Sequence, residues 1–158
     1  MAIRKIRGAG AADLYKKAAK VPAINAGVLR LLDDMIETMR FSQGLGLAAP
    51  QLGIAKCIVV VEFEGKLYEL INPVLLSQEG ETIDIEGCLS YPGVWAEVSR
   101  PHKVTIQGMN RSGKEYCLTA QGILARALCH ELDHLRGILF IDRVERVLTA
   151  DELEEQSG

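Results

Sequence analysis

Residues 129–135 constrain the fold and the chemistry of this chain more than any other segment. They place His130 and His134 four residues apart, with Glu131 directly after the first histidine. Residues i and i+4 share one face of an α-helix, so both imidazoles can bind one metal ion if the segment is helical. Glu131 then points about 100° away from His130 around the helix and can act on water without binding the metal. The segment predicts the metal site and general base of a hydrolase, unless the histidines lie incidentally on an exposed helix.

Length and charge limit the classes of protein to which the chain can belong. Its 158 residues suit a single domain, residues 1–158, with a sizeable hydrophobic core. The net charge of -3 does not indicate a basic surface, and we expect no nucleic acid binding. No apolar run approaches the roughly 20 residues of a membrane span, and no signal-peptide pattern begins the chain. The N-terminal segment is basic but lacks serine, so an organellar location is less expected than a cytoplasmic one.

The hydrophobic pattern predicts a helix, then several short strands, then a second helix. Apolar residues recur at helical spacing over residues 25–39, and the helical period returns over 120–136, where Gly137 is a natural stop. The glycine-rich residues 44–51 are predicted to form a loop, and residues 143–158 an acidic tail in which residues 151–155 either form a short helix or fray. This order favours an α+β fold, with mixed or antiparallel sheets packed around the C-terminal-half helix that carries the histidines. The predicted strands are residues 57–63, 67–71, 103–107 and 115–119.

Two histidines leave a catalytic metal site incomplete, because such sites usually have three protein ligands and one open position. The candidates for the third ligand are the acidic residues, His102 and the four cysteines, which form no C-x-x-C pair and indicate free thiols in a reducing compartment. Cys88 lies beside Gly87, in a segment that ends at a proline and a glycine, where its thiolate can approach a metal closely. Taken alone, Cys88 is more often a small buried hydrophobic residue.

Three separated motifs make the chain resemble the peptide deformylase family. They are Gly-Leu-Gly-Leu-Ala-Ala-Pro-Gln at residues 44–51, Glu-Gly-Cys-Leu-Ser at 86–90 and His-Glu-Leu-Asp-His at 130–134. The motifs follow the family's order and approximate separations, and two further segments, 70–73 and 137–142, are also similar. The resemblance runs from about residue 25 to residue 142 and implies one deformylase-like domain, in which residues 1–20 match loosely.

The resemblance implies an enzyme that removes the formyl group from the N-terminal methionine of nascent bacterial polypeptides and releases formate. Its expected partners are formyl-Met N-termini, with a transient contact to the ribosome in a bacterial cytoplasm. Some members of the family dock on the ribosome through a basic C-terminal helix, a mode that the acidic residues 151–155 do not suit.

The family's metal ligands correspond to Cys88, His130 and His134, and water takes the fourth position. The expected cofactor is one divalent metal ion. A thiolate and two imidazoles suit Fe²⁺, Zn²⁺, Ni²⁺ or Co²⁺, and the resemblance favours Fe²⁺ as the native ion.

The resemblance also implies catalytic roles for three residues. Glu131 takes a proton from the attacking water and later delivers it to the leaving amine. The side chain of Gln51 and the backbone N–H of Leu89 face the oxyanion of the tetrahedral intermediate. Without the resemblance, the simpler interpretation of Gln51 is an amide that caps a turn.

Four residues are expected to bind the substrate. Gly46 lets a peptide backbone come close, and the segment around Leu45 can pair with an extended peptide, although a simple turn explains both. Ile123 and Ala127 lie seven and three residues before His130, near its face of the helix. They either line a methionine pocket or simply pack in the core.

Several other residues are expected to support the site or the fold. Glu86 and Arg100 form either a pair that braces the Cys88 segment or two solvated charges. Asp133 either orients a ligand or pairs with an arginine. Among the cysteines, Cys129 is expected to be structural, and Cys57 and Cys117 are expected to be strand packing residues. His102 is expected at the surface. Trp95 is expected at the rim of the site, where it would favour substrates with apolar residues after methionine.

Three other functions stay open. The helix motif alone also suits a zincin-like peptidase, although such enzymes usually take a third histidine or a glutamate as ligand rather than Cys88. A catalytically idle relative would bind formylated or blocked peptides without hydrolysing them. A structural metal domain would need four closed protein ligands, and the sequence offers three convincing ones.

Overall fold

The computed structural model describes residues 2–8 and 10–157. Its helices are α1 (Ala26–Phe41), α2 (Gly122–Leu135) and α3 (Ala150–Ser157). Its strands are β1 (Gly46–Ala48), β2 (Ile58–Phe63), β3 (Lys66–Glu79), β4 (Thr82–Cys88), β5 (Tyr91–Arg100), β6 (Lys103–Met109), β7 (Glu115–Gln121) and β8 (Val144–Val147). Short 3₁₀ turns cover Ala12–Tyr15, Ala49–Leu52 and Phe140–Arg143. The predicted α+β fold is confirmed, and the strand pairs of both sheets are antiparallel.

The larger sheet has five strands in the order β1-β2-β3-β6-β7 and separates the two long helices. Residues 58–61 of β2 are fully buried. Val59 and Val61 pack in the core that contains α2, whereas Ile58 and Val60 pack in the core that contains α1. Because successive strand residues point to opposite faces, a strand covered on both faces needs an apolar residue at every position. This explains the β-branched run from which the strand was predicted.

Helix α1 follows the predicted pattern closely. The side chain of Asn25 accepts a hydrogen bond from the backbone N–H of Val28 at 3.0 Å and so caps the N-terminus. One apolar stripe packs against the sheet, as the helical spacing predicted. The stripe consists of Val28, Leu31, Leu32, Met35, Ile36 and Met39.

The glycine-rich segment is not the loop that was predicted. Gly46–Ala48 forms the edge strand β1, which pairs with β2, and Ala49–Leu52 forms a 3₁₀ turn. Every residue of both elements is buried. The prediction was wrong because burial and pairing with β2 outweigh the low strand propensity of glycine.

Strand β3 runs well beyond the predicted end at residue 71. Asn72 adopts a φ of 54°, and the register of β3 against β6 shifts between Ile71 and Val74. The Asn72 side chain bonds to both backbone groups of Val21, at 2.8 Å to the N–H and 2.9 Å to the carbonyl. This bulge lets the strand continue past an Asn-Pro sequence that normally ends one.

A second sheet, in the order β4-β5-β8, was not predicted. Many residues of β4 and β5 are exposed, and its core is small, with Ala96, Val98 and Phe140 at the centre. The hydrophobic alternation is therefore weak, and sequence reasoning missed the sheet. Residues 143–158, expected as an acidic tail, contribute the strand β8 and the helix α3.

Helix α2 is almost enclosed, since ten of its fourteen residues are buried. It starts directly after β7 and ends before Gly137, as predicted. Gly137 has a φ of +74°, and a Cβ there would lie 2.6 Å from the carbonyl oxygen of Tyr15. The fold thus fixes both ends of helix α2, which carries the histidines. Within the described residues, no helix has both the length and the apolar character required to cross a membrane.

Candidate metal centre

The structure brings Cys88, His130 and His134 together. Their ligand atoms, one Sγ and two ring nitrogens, all lie within 4.8 Å of one another. The Cys88 Sγ is 3.4 Å from His134 Nε2, and the two imidazole centroids are 5.1 Å apart. Both histidines are buried and the cysteine is half-buried. The three predicted ligands are therefore within reach of one ion.

Two elements that lie far apart in the sequence meet at this point. Cys88 is the last residue of β4 and pairs with Tyr91, the first residue of β5, across a tight turn. A Cβ on Gly87 would lie 2.6 Å from the indole ring of Trp95. The glycine thus makes room for that ring beside the thiol, while α2 supplies both histidines.

Glu86 fixes the orientation of His130. Its Oε1 lies 2.9 Å from His130 Nδ1, which leaves Nε2 as the nitrogen available to a metal. Arg100 donates two hydrogen bonds to the same carboxylate, at 2.8 and 2.9 Å, and Arg126 a third at 2.7 Å. Burial alone would raise the pKa of Glu86, but the hydrogen bonds from Arg100 and His130 lower it to about 2. The predicted pair of Glu86 and Arg100 is present, and it is buried rather than solvated.

Asp133 pairs with two arginines instead of orienting a ligand. Its Oδ2 accepts hydrogen bonds from Arg100 at 2.6 Å and from Arg143 at 2.5 Å. Arg126 also donates to the carbonyls of Val98 and Thr82, both at 2.8 Å. We call Glu86, Arg100, Arg126, Asp133 and Arg143 the ion network. Sequence reasoning missed Arg126 and Arg143, because no motif links residues on separate elements.

Glu131 points towards β1. A Cβ on Gly46 would lie 2.7 Å from Glu131 Oε2, so the glycine makes room for the carboxylate itself. The Glu131 Oε1 atom is buried and has no hydrogen-bond partner among the described residues. Burial, opposed by the charge of His130, raises the pKa of Glu131 to about 7.

The two histidines have opposite proton affinities. Burial opposes a charge on His130, but Glu131 and the hydrogen bonds with Cys88 and Glu86 raise its pKa to about 10. Burial and the charge of His130 hold the pKa of His134 well below its ordinary value. The site therefore favours one positive charge beside its carboxylates and thiol. A single cation with one sulfur and two nitrogen ligands meets that requirement, which fits the donor set of a divalent transition metal.

Gln51 lies beside the thiol in the 3₁₀ turn. Its Oε1 accepts a hydrogen bond from the backbone N–H of Ala48 at 2.9 Å, which is the turn-capping contact considered from sequence. Its Nε2 lies 3.6 Å from Cys88 Sγ and 3.3 Å from Ser90 Oγ. The amide thus caps the turn and also directs its N–H groups at the site. Ser90, which is fully buried, is an orienting residue that sequence reasoning missed although it lies in the Glu-Gly-Cys-Leu-Ser motif.

A cleft of about 620 Å³ opens beside the cluster. It lies between β1 and β4, which are edge strands of the two sheets. All the residues expected to bind substrate line it, together with Leu89 and Trp95: Leu45, Gly46, Ile123 and Ala127. Ile123 is 53% exposed and therefore is not a core residue, whereas Ala127 is buried and belongs to both the core and the cleft.

The remaining cysteines and His102 lie outside the cluster. Cys129 is buried and Cys57 is half-buried against the same core, as expected for packing residues. Cys117 lies on β7 but is exposed, so its interpretation as a packing residue was wrong. It occupies the outward face of a strand whose other face is covered. His102 is exposed, as predicted.

The family model and highly similar relatives indicate the same protein family. The model of the polypeptide deformylase family matches residues 3–149, well beyond the segment that carried the resemblance. The peptide deformylase of Acetivibrio thermocellus is 51% identical over 156 residues, which cover 99% of this chain and 92% of that protein. The peptide deformylase of Caldanaerobacter subterraneus is 50% identical over 98% of this chain and 97% of its own length.

Solved structures agree in fold. The peptide deformylase of Thermotoga maritima superposes with a TM-score of 0.89 at 34% identity and covers 92% of this chain and 99% of its own. The peptide deformylase of Synechococcus elongatus, solved in complex with actinonin, gives a TM-score of 0.88 at 38% identity over 96% of this chain and 82% of its own. Sequence and fold agree along nearly the whole length, and the chain belongs to the polypeptide deformylase family.

Proposed function

We propose that Cys88, His130 and His134 hold one divalent metal ion and that peptides are deformylated in the adjoining cleft. The family comprises metal-dependent hydrolases that remove the formyl group from the N-terminal formylmethionine of nascent polypeptides, and this chain is such an enzyme. The observation that carries the proposed site is the convergence of one thiol and two imidazoles within 4.8 Å beside the cleft. These three residues would hold the ion and would leave a coordination position open to water or substrate.

Glu131 is the proposed general base. When bound, the metal supplies Lewis acidity, which lowers the pKa of a water molecule and polarises the formyl carbonyl. Glu131 takes the proton of the attacking water on its carboxylate and then donates it to the departing amine. Its place directly after His130 and in the lining of the cleft supports this role, and its buried Oε1 has no hydrogen-bond partner among the described residues that would compete for a proton.

Gln51 and Leu89 are the proposed donors to the oxyanion. The Gln51 amide is held by Ala48 on one side and by Ser90 on the other, so its position is set before the substrate arrives. The backbone N–H of Leu89 is presented by the turn between β4 and β5. Loss of one such donor typically lowers the rate by a factor of about 10²–10³.

The cleft supports binding of an extended peptide. Its walls contain the edge strands β1 and β4, and an edge strand can pair with an added strand. We place the peptide backbone against Leu45 and Gly46 and the methionine side chain against Ile123 and Ala127. The exposed apolar surface of Ile123 supports this placement, because a binding wall explains an unburied isoleucine at this position.

Three finer statements complete the proposal. Fe²⁺ is the native ion, since one thiolate and two imidazoles suit it and the family resemblance favours it over Zn²⁺, Ni²⁺ or Co²⁺. The enzyme works in the bacterial cytoplasm, in line with its bacterial relatives. It contacts the ribosome transiently, and through a surface other than the acidic helix α3.

The site geometry disfavours the other functions. A structural metal domain would need a fourth protein ligand, but the cluster found among residues 2–8 and 10–157 has three members. A zincin-like peptidase would use histidine or glutamate where Cys88 stands. An idle relative would lack a reacting group, whereas Glu131 and Gln51 both adjoin the cluster.

Formate release from formyl-Met peptides tests the proposal. The protein is purified anaerobically and loaded with Fe²⁺, Ni²⁺ or Zn²⁺, and each form should release formate. Glu131→Ala should retain one metal ion per chain and lose a factor of roughly 10²–10⁴ in kcat. Glu145→Ala, which removes an exposed glutamate of β8, is the matched control and should keep full activity. Undiminished formate release by Glu131→Ala would refute the general-base role.

A further inference from the structure

A second cavity, of about 300 Å³, lies across α2 from the cleft. We call it the rear cavity. Cys129, Leu132 and Asp133 of α2 line it, whereas His130 and Glu131 line the cleft. The two cavities share no lining residue. The rear cavity is thus a separate space, which the deformylase reaction does not use.

The rear cavity is strongly basic. It is lined by four cationic side chains and one acidic one, a surplus of three positive charges. The chain as a whole carries a net charge of -3, so this surplus runs against its overall charge. The cationic residues are Lys17, Arg100, Arg136 and Arg143, and the acidic one is Asp133.

The ion network neutralises only part of this charge. Arg100 is buried and is satisfied by Glu86 and Asp133, so it is not available to a ligand. Arg143 shares Asp133 with Arg100 and remains 41% exposed. Ser99 also lines the cavity, but its hydroxyl donates to Glu81, which places one further carboxylate nearby.

Two cations at the rim are left without a counter-charge. Lys17 and Arg136 are exposed, and neither has an ion pair with any residue in the described part of the chain. Lys17 is near the half-buried thiol of Cys57: burial raises the pKa of that thiol, and the charges of Lys17 and Lys20 oppose the rise. Lys17 and Cys57 both line the cavity, so the Lys17 charge lies close to its interior.

The floor of the cavity is largely apolar. Leu75, Leu132 and Leu135 line it together with Cys57 and Cys129. Cys129 is buried and packs in the core that contains α2. The thiol of Cys57 faces the carbonyl of Ala18 at 3.6 Å.

We propose that the rear cavity binds a small organic oxyanion, with its charged group between Lys17, Arg136 and Arg143 and a short apolar body over Leu132. Guanidinium and ammonium groups bind carboxylate and phosphate alike, so the shared chemistry is the oxyanion. The apolar floor selects an anion with a few carbon atoms over a fully hydrated one, because burying that body removes apolar surface from water.

NMR titration of the zinc-loaded enzyme tests this assignment. Butyrate should shift the backbone amides of Ala18 and Leu132 in a saturable way, acetate should bind more weakly, and neutral butyramide should not bind. The amide resonances of Leu45 and Gly46 in the cleft should not shift. This result would distinguish binding in the rear cavity from binding at the metal centre. Inorganic phosphate should compete with butyrate for the cavity. The anion with the higher affinity identifies whether the site prefers a phosphate or a carboxylate group.

Charge variants complete the test. The double variant Lys17→Gln/Arg136→Gln should weaken butyrate binding at least tenfold while formate release is unchanged. Lys66→Gln/Lys114→Gln removes the same charge from residues that do not line the cavity and should bind butyrate as the parent does. Equal affinity in the two double variants, equal binding of butyramide, or shifts confined to the cleft would overturn the proposal. These readings do not depend on turnover, so they stand apart from the proposed catalytic roles.

Discussion

The two sides of the histidine-bearing part of helix α2 differ: one is a buried network of charges, and the other is an open cleft lined by apolar side chains. Behind the histidines, the ion network is buried and nearly every charge has a partner at 2.5–2.9 Å. In front of them, the cleft presents partly exposed apolar side chains, with Leu45 at 48%, Trp95 at 43% and Ile123 at 53% exposure. The network orients His130, one of the three proposed metal ligands, and the cleft leaves apolar surface exposed. Substitutions on the two sides should therefore affect different quantities.

The largest effect is expected from the network. Arg100→Ala leaves the buried carboxylates of Glu86 and Asp133 without their shared partner, so it should lower the free energy of unfolding by about 3–5 kcal/mol. For a chain of this length, that corresponds to a fall in Tm of roughly 10 °C. Urea and thermal unfolding measure both quantities.

Arg146→Ala is the matched control for this comparison. Arg146 also binds two carboxylates, Glu97 and Glu152, but it is half-exposed. Because exposed ion pairs contribute little, this variant should lose far less stability than Arg100→Ala. Equal losses would show that burial does not distinguish the network from surface pairs.

A smaller effect, on rate rather than stability, is expected at the boundary between the two sides. In Gly46→Ala, the new Cβ would lie 2.7 Å from Glu131 Oε2 and must displace the carboxylate. If Glu131 is the general base, as proposed, its displacement by about 1 Å can cost around 10²-fold in kcat. Gly8→Ala, where nothing lies within 4 Å of the new Cβ, should keep the parent's kcat. A Gly46→Ala enzyme with parental kcat would mean that Glu131 does not need this position.

The smallest effect is expected from the wall of the cleft. Ile123→Ala removes apolar surface from the proposed methionine wall, so kcat/KM for formyl-Met peptides should fall about fivefold, or roughly 1 kcal/mol. Ile83→Ala is the matched control, since Ile83 is 57% exposed but does not line the cleft. Steady-state kinetics measure kcat/KM for both variants. Equal kcat/KM values would show that Ile123 is an ordinary surface residue.

The same contrast explains what the sequence could predict. The buried stripe of α1, the β-branched run of β2 and the i, i+4 histidines each obey a strict period, and the structure has all of these elements where they were expected. The strands of the second sheet show no such hydrophobic period, because the sheet buries only a small core. Strand β1 contradicts its local propensity, because tertiary burial decides its conformation.

Long-range contacts account for what was missed at the site. Arg126 and Arg143 reach carboxylates 40 and 10 residues away, and no local pattern records such partners. Ser90 lay within a quoted motif, yet its contact with Gln51 depends on how β4 and the 3₁₀ turn pack together. The positions of chemically distinctive residues were predictable, and the pair of Glu86 and Arg100 was one expected alternative, whereas the contacts of Arg126, Arg143 and Ser90 were not predictable.

The central claim is that one sulfur and two imidazole nitrogens hold a single metal ion with one position left open. X-ray absorption spectroscopy on the zinc- or iron-loaded protein counts these ligands directly. One sulfur, two imidazole nitrogens and one light oxygen ligand are expected, and Cys88→Ser should remove the sulfur from the shell. A shell without sulfur, or one closed by a fourth protein ligand, would contradict the account.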